Sequence, residues 1–597
     1  MAGKTLLILG DQLSHWNSSL RAGEKDLDVV LMVESSDPAS RHHKIKRAFQ
    51  ISAMRHFAEE LREKGWTIDY HSLGESADLA SAAQKHFARF QTASLVVMEP
   101  NNFSEQVLVE QIARENTIPL EVSPTCHFVV PRAEFLRSAQ GKKRLLMEQH
   151  YRTYRQKLGI LLDHDGEPEG GAWNFDADNR KTISDWKKEG APRPGVSATK
   201  NRARDEITQK AISDVEHFFP NGIGRAVDCW LPVTRAEALE SLASFIQERL
   251  PHFGDYQDLM LQDSPTMFHS LISGPLNLGL LSPMECVEAA EKAYRSGAAP
   301  LAAVEGFIRQ IIGWREFVNG VYWLKMPDYL SSNTLNATRP LPDFFYTAKT
   351  DMQCLSLTIT EAIDTSYNHH IQRLMILGNF LLLAGIDPKQ SHDWFLEMYI
   401  DAHEWVMAAN VLGMALHADM VPMVLRNPAA FGCAMENLAL VGKQEIRRHG
   451  RVEFVEALDG VPEAAAGIDG PEAALALVVE EHLGHGRRAS KVRPVLDQRS
   501  IEVGAEELDS GHSPGGTVSF GNGLLRTRSR PRRVRAGPQI PVRSGWSRAR
   551  FFEGRVVLGL ERAGQARGGR VGGVCGVGFR RACRRIGGTI RPFRRRE

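Results

Sequence analysis

Two adjacent histidines, His369 and His370, stand just before an arginine, Arg373. Histidine titrates near neutral pH, so such a pair can act as acid and base within one reaction cycle. A lone histidine of this kind usually belongs to a core; a double histidine ahead of an arginine points to chemistry. A second stretch, His269-Ser270-Leu271-Ile272-Ser273, is followed by Asn277, Gly279 and Leu281-Ser282-Pro283. Hydroxyls and backbone amides near a helix start can hold a diphosphate without buried cations. The same residues also describe an ordinary serine-capped helix. A third stretch, Phe307-Ile308-Arg309-Gln310-Ile311-Ile312-Gly313-Trp314-Arg315-Glu316-Phe317, puts a ring that can stack beside a charged pair. By itself it reads as an amphipathic core helix with an exposed ion pair. Downstream come Trp394, which packs equally well as a core aromatic, and Asp401-Ala402-His403-Glu404-Trp405.

Two kinds of element must position these residues. Residues 4–130 alternate short apolar, often β-branched runs (6–9, 29–33, 68–70, 95–98) with helical patterns, clearest over 45–64. That alternation predicts a doubly wound parallel sheet, with ligands at the carboxyl ends of its strands. Gly10-Asp11-Gln12 and Glu34-Ser35-Ser36-Asp37 occupy such ends. Residues 131–225 are charged, broken by glycine and proline, and read as a connector with some helix. Residues 226–419 read as mostly α, with helical spacing over 237–250, 283–294, 302–324, 354–384 and 390–407.

Composition changes sharply after about residue 420. Residues 521–597 hold 21 Arg, no Lys and three acids, a net charge of +18, while the whole chain carries only +1. The body is therefore acidic, and nucleic-acid binding would need a local basic patch or the tail. Few aromatics remain there to build a core, so residues 420–597 are expected to be disordered. A genuine Arg/Gly-rich tail and an out-of-frame stretch both fit that composition. The seven cysteines are scattered, as reduced thiols would be. No apolar run reaches membrane-spanning length, and the chain reads as a soluble, cytoplasmic protein.

Together the three stretches resemble the photolyase/cryptochrome family. His269 to Ser273 resembles its flavin-phosphate loop, Thr-Ser-x-x-Ser, and residues 307–317 resemble its Trp-Arg-Glu-Phe helix. His369-His370-Ile371-Gln372-Arg373 resembles the His-His-Leu-Ala-Arg helix of the (6-4) photolyases. The resemblance extends to the bacterial iron–sulfur branch through His42-His43-Lys44-Ile45-Lys46, Ser52-Ala53-Met54-Arg55-His56, Trp173-Asn174-Phe175-Asp176 and Asn410-Val411-Leu412-Gly413-Met414. It covers roughly residues 4–419. It implies an α/β antenna domain (1–130), a connector (131–225) and an all-α FAD-binding catalytic domain (226–419).

For function, the resemblance implies light-driven repair of UV-damaged DNA by a monomeric, FAD-dependent lyase. Its substrate would be the (6-4) photoproduct, with His370 as proton donor. His369, Trp314 and Glu316 would complete the catalytic group. FAD would meet His269, Ser270, Leu271, Ile272, Ser273, Arg309, Arg373, Asp401, Met407 and Trp394. Asp401 would pair with Arg373 beside flavin N5, and Trp394 would be the first electron donor. A lumazine-type antenna would lie near Gly10, Asp11, Glu34 and Asp37. Two alternatives stay open: a cryptochrome-like photoreceptor without repair, and an inactive, C-terminally altered photolyase.

Two departures stand out. The branch carries a [4Fe–4S] cluster on four cysteines. Only Cys354 matches a ligand position, and the Cys-x-x-Cys and Cys-Pro ligands are missing, so the cluster is expected to be absent. Met407 takes a position that is usually polar, and a thioether cannot donate a proton.

Overall fold

The computed structural model describes residues 3–34, 40–142, 144–179, 181–190, 203–261 and 264–419, and four short strands between residues 518 and 557. A parallel sheet of five strands opens the chain: β1 (Gly3–Leu7), β2 (Val29–Val33), β3 (Thr67–His71), β4 (Thr92–Met98) and β5 (Leu120–Ser123). Their order is β3-β2-β1-β4-β5, so the winding reverses between β1 and β4. Successive side chains of a strand point to opposite faces. Leu6, paired with Val30 and Val96, faces one buried cluster. Leu7, paired with Leu31 and Val97, faces another. Both faces are covered, which explains the continuous apolar runs. Four strands coincide with those runs. β5 has no such run, because it is a short edge strand with its middle residues exposed.

Helix Lys44–Glu63 packs Ile45, Phe49, Phe57 and Leu61 into the first cluster. That same cluster continues through Tyr151 and Val215 of the connector and on to Phe253, Phe307 and Trp394. Residues 3–419 thus belong to one compact unit. Among the described residues no helix is long and apolar enough to cross a membrane.

Two stretches expected as continuous helices are broken. The span 354–384 is helix Gln353–Thr365, a break at 366–369, then a second helix from residue 370 to 383. The span 390–407 is helix Pro388–Met398, a break at 399–403, then a helix opening with Glu404–Met407. Wide π-type turns occur at Arg309–Arg315, Gln372–Gly378 and Ala408–Ala415. Such turns recur at functional sites in proteins.

Within the span expected to be disordered, the described residues form two antiparallel hairpins. They are Val518–Gly521 with Leu524–Thr527, and Arg550–Phe552 with Arg555–Val557. They belong to a separate unit. The expectation for the rest of 420–597 lies outside the described residues.

Candidate functional site

The two breaks hold each other. Ser366 ends its helix in a left-handed conformation, φ 58°. Its hydroxyl donates to the Met398 carbonyl at 2.6 Å, and the Ile400 N–H donates to the Ser366 carbonyl at 3.1 Å. Asn368 completes the junction. Its amide donates to the Thr358 carbonyl at 3.2 Å, and its side-chain oxygen accepts from the Tyr399 hydroxyl at 2.7 Å. His369 and His370 therefore sit at the start of a helix whose origin is tied to the break that carries Asp401.

His369 is buried, and its ring stacks on His269, with centroids 5.0 Å apart and planes at 14°. His269 Nε2 donates to the Gln257 carbonyl at 3.1 Å, which sets its tautomer. Burial, followed by the neighbouring imidazoles and Arg373, pushes His369 well below its ordinary range and His269 to about 4. His370 is pushed to about 4, again by burial and then by Arg373. Yet His370 as a residue is exposed. His370 is thus the exposed member of the trio, and His369 the sealed one.

Arg373 Nη1 donates to Asp401 Oδ1 at 2.8 Å, and its Nε donates to the Asn368 carbonyl at 2.8 Å. The guanidinium lies over the Tyr399 ring, 4.1 Å from its centroid. Burial raises the Asp401 carboxyl, but Arg373 outweighs it and holds it below the ordinary carboxylate value. Ser273 also bonds the Asp401 carboxylate, and Asn277 donates to the Asp401 carbonyl at 2.9 Å. Arg249, itself buried, donates to the Ser270 carbonyl at 3.3 Å. The loop at 269–273, the double-histidine helix and Asp401 thus meet in one place. Trp394 stands behind them, sealed, with Nε1 donating to the Phe345 carbonyl at 3.0 Å and its ring edge-on to Tyr399 at 5.8 Å. Leu271 and Ile272 are buried in the loop, and Met407 is buried in the core.

The third sequence stretch faces other partners. Glu316 Oε2 accepts the Val129 and Val130 N–H groups at 2.8 and 2.9 Å, while Oε1 accepts Arg315 Nη1 at 2.9 Å. Arg309 donates to Glu305 at 3.1 Å and to Asp176 at 3.4 Å. These bonds clamp the helix to the end of the sheet region and to the connector. Trp314 is half-buried, edge-on to Phe317. Two residues with no local sequence signal join the site instead: Asn368 and Tyr399.

These features can be set beside known proteins. The family described as deoxyribodipyrimidine photo-lyase-related protein matches residues 6–230. A (6-4) photolyase of Agrobacterium fabrum is 44% identical over 421 residues, covering 69% of this chain and 81% of that protein. The chain belongs to the photolyase family. An uncharacterized protein of Acanthamoeba polyphaga mimivirus is 33% identical over 108 residues, 18% of this chain and 82% of its own length. Among solved structures, a bacterial class III photolyase from Agrobacterium tumefaciens matches with TM-score 0.48 and 16% identity, covering 84% of this chain and 95% of that chain.

Photolyases as a family bind FAD, and the residues present fit it. Arg249 Nε and His369 Nδ1 are buried without partners, beside the Ser270–Ser273 loop. The following helix leaves Arg373, Leu374, Met375 and Ile376 partly accessible. At the carboxyl edge of the sheet, Asp11 Oδ1, Gln12 Oε1, Asn101 Oδ1 and Asn102 Oδ1 are buried acceptors without partners. That donor-hungry set fits a heterocycle carrying N–H and O–H groups. Burial raises Asp11 to about 6. Gly10 is packed so closely that a Cβ would lie 2.7 Å from the Gln50 amide. Glu34 has little capacity left, since it accepts from Arg55 at 2.7 and 3.0 Å, Tyr70 at 2.5 Å and the Leu73 N–H at 2.9 Å. Asp37 lies outside the described residues. A [4Fe–4S] cluster does not fit: Cys354 is half-buried on its helix, and the sequence has no Cys-x-x-Cys to join it.

Proposed function

We propose that this protein is a DNA lyase that uses light to repair UV-damaged DNA, with the (6-4) photoproduct as its lesion. The single observation that carries this reading is the water-accessible His370 beside a buried imidazole stack and the Arg373–Asp401 pair. When bound, FAD supplies electron donation to the lesion upon illumination. Arg249, Ser270 and Ser273 would hold its phosphates, and Arg373 and Asp401 would steady its ring as charge changes. His269 and His369, both neutral at pH 7, keep cationic charge away from the lesion side. His370, which at about 4 is neutral at pH 7 until the lesion docks, would take up a proton, pass it to the lesion and take it back, as repair of this lesion requires because a hydroxyl moves between neighbouring bases. The damaged base would be flipped out of the duplex to reach it. The unsatisfied acceptors around Asp11 support a lumazine-type antenna at the sheet edge. The reading is of a cytoplasmic monomer.

The test is His370→Asn. The variant should lose repair of (6-4) DNA by at least about a hundredfold, the scale of one positioned acid–base group, while blue-light reduction of bound FAD persists. Wild-type protein that photoreduces FAD yet repairs no irradiated DNA would instead make it a photoreceptor.

A further inference from the structure

Glu361 lies on helix Gln353–Thr365, outside every motif that marks the site. Its Oε2 accepts the side-chain amide of Gln372 at 2.6 Å. The Gln372 oxygen in turn accepts the His369 backbone N–H at 3.0 Å. The direction of this chain is forced. A backbone N–H only donates, so the oxygen of Gln372 must face it and its NH2 must face Glu361. Asn368, the residue before His369, has its backbone carbonyl taken by Arg373 instead. One carboxylate therefore holds the Gln372 side chain that caps the His369 N–H, where the double-histidine helix begins.

We propose that Glu361 is a positioning residue for His369 and His370, acting through Gln372. The inference rests on the repair reading above. Burial raises the Glu361 carboxyl to about 7, opposed by Gln372 and Asn368. A carboxylate is a stronger acceptor than a carboxylic acid, so the bridge is firmest above neutrality and slackens as pH falls through about 7. The titratable and charged groups around it are Tyr367 and Tyr399, which feel its charge directly, and beyond them Arg373, Asp401 and Arg249, which act on the same two tyrosines. None of these crosses between charged forms near pH 7; Lys46, which burial lowers to about 7 and which interacts with Asp401, does, so the loss of the pH decline in Glu361→Gln is what assigns the dependence to Glu361.

The experiment compares Glu361→Gln and Glu361→Ala in the full-length, FAD-loaded protein. Glutamine keeps an acceptor for Gln372 without a titration; alanine removes the acceptor. Glu361→Ala should slow repair about tenfold through misplacement of the histidines, while FAD photoreduction changes less than twofold. Glu361→Gln should retain repair at pH 8 but lose the wild-type decline between pH 8 and 6. NMR of histidine-labelled protein, with His370→Asn identifying the resonance, should show the His370 imidazole signal moved in Glu361→Ala and restored in Glu361→Gln. Wild-type pH profiles and unmoved imidazole signals in both variants would overturn the proposal. If the alanine variant does not fold, the glutamine pH profile decides alone. Wild-type protein that repairs nothing would defeat the repair reading, and the imidazole signals would still judge the positioning claim.

Discussion

Arg373 and Asp401 gain their role from being mostly sealed together. A charge removed from water is costly unless its partner stays in place, and removing one partner from a buried pair leaves the other uncompensated. Asp401→Asn should therefore cost about 3 kcal/mol in urea unfolding at pH 7. The pH dependence has a definite sign. The folded Asp401 pKa lies below the ordinary 3.8, so its contribution is complete above that value and is lost as pH falls through the folded value. The gap between wild type and variant should stay constant from pH 7 to 5 and close only below about 3.8. A gap already closing at pH 6 would show that another group supplies the effect.

At the scale of elements, the decisive feature is a pair of helix breaks bonded to each other. Ser366 adopts φ 58° without being glycine, and its hydroxyl is used on Met398 at 2.6 Å. Ser366→Ala removes that bond and strands a buried carbonyl, at a cost of about 1–2 kcal/mol. Ser366→Gly removes the same bond but eases the left-handed backbone by about 1 kcal/mol. Thermal melts should rank wild type above glycine and glycine above alanine. Equal melting temperatures for all three would mean that the junction is held elsewhere, for instance by Asn368 and Tyr399.

For the whole molecule, buried and half-buried imidazoles contribute to the acid response. Burial pushes His42 to about 2, His127 and His403 to about 3, and His43, His150 and His269 to about 4. Their ordinary value is 6.5, so on acidification the unfolded chain takes up these protons first. Stability is full above 6.5 and falls as pH drops toward the folded values, by about 1.4 kcal/mol per pH unit for each fully buried histidine. The urea midpoint should drop steeply between pH 6.5 and 5; a flat midpoint over that range would refute the neutral burial of these rings. Cofactor content is the other molecular-scale prediction. Purified protein should contain no stoichiometric iron and sulfide, because Cys354 has no Cys-x-x-Cys partner in the chain.

Much of this was open to reading in the residues alone. Both faces of β1, β2 and β4 are buried, so their apolar runs announced the sheet, while β5, exposed at the edge, left no such mark. The double histidine and the serine loop stood out by side-chain type and short spacing, and the resemblance to the photolyase family singled out Asp401. Periodicity is a local property, however, and could not reveal that the helical pattern over 354–384 stops at Ser366. That stop is held by Met398, 32 residues away. Partner choice was equally hidden. The carboxylate of Glu316 looked available for substrate, but folding brings two backbone N–H groups from residues 129 and 130 to it. Nothing in the sequence marked Glu361, which only folding sets against Gln372. Sequence determined which chemistry this protein carries and the sheet beneath it. Tertiary structure decided which charged groups are occupied and where the double-histidine helix begins, because those depend on atoms that meet only when distant segments pack.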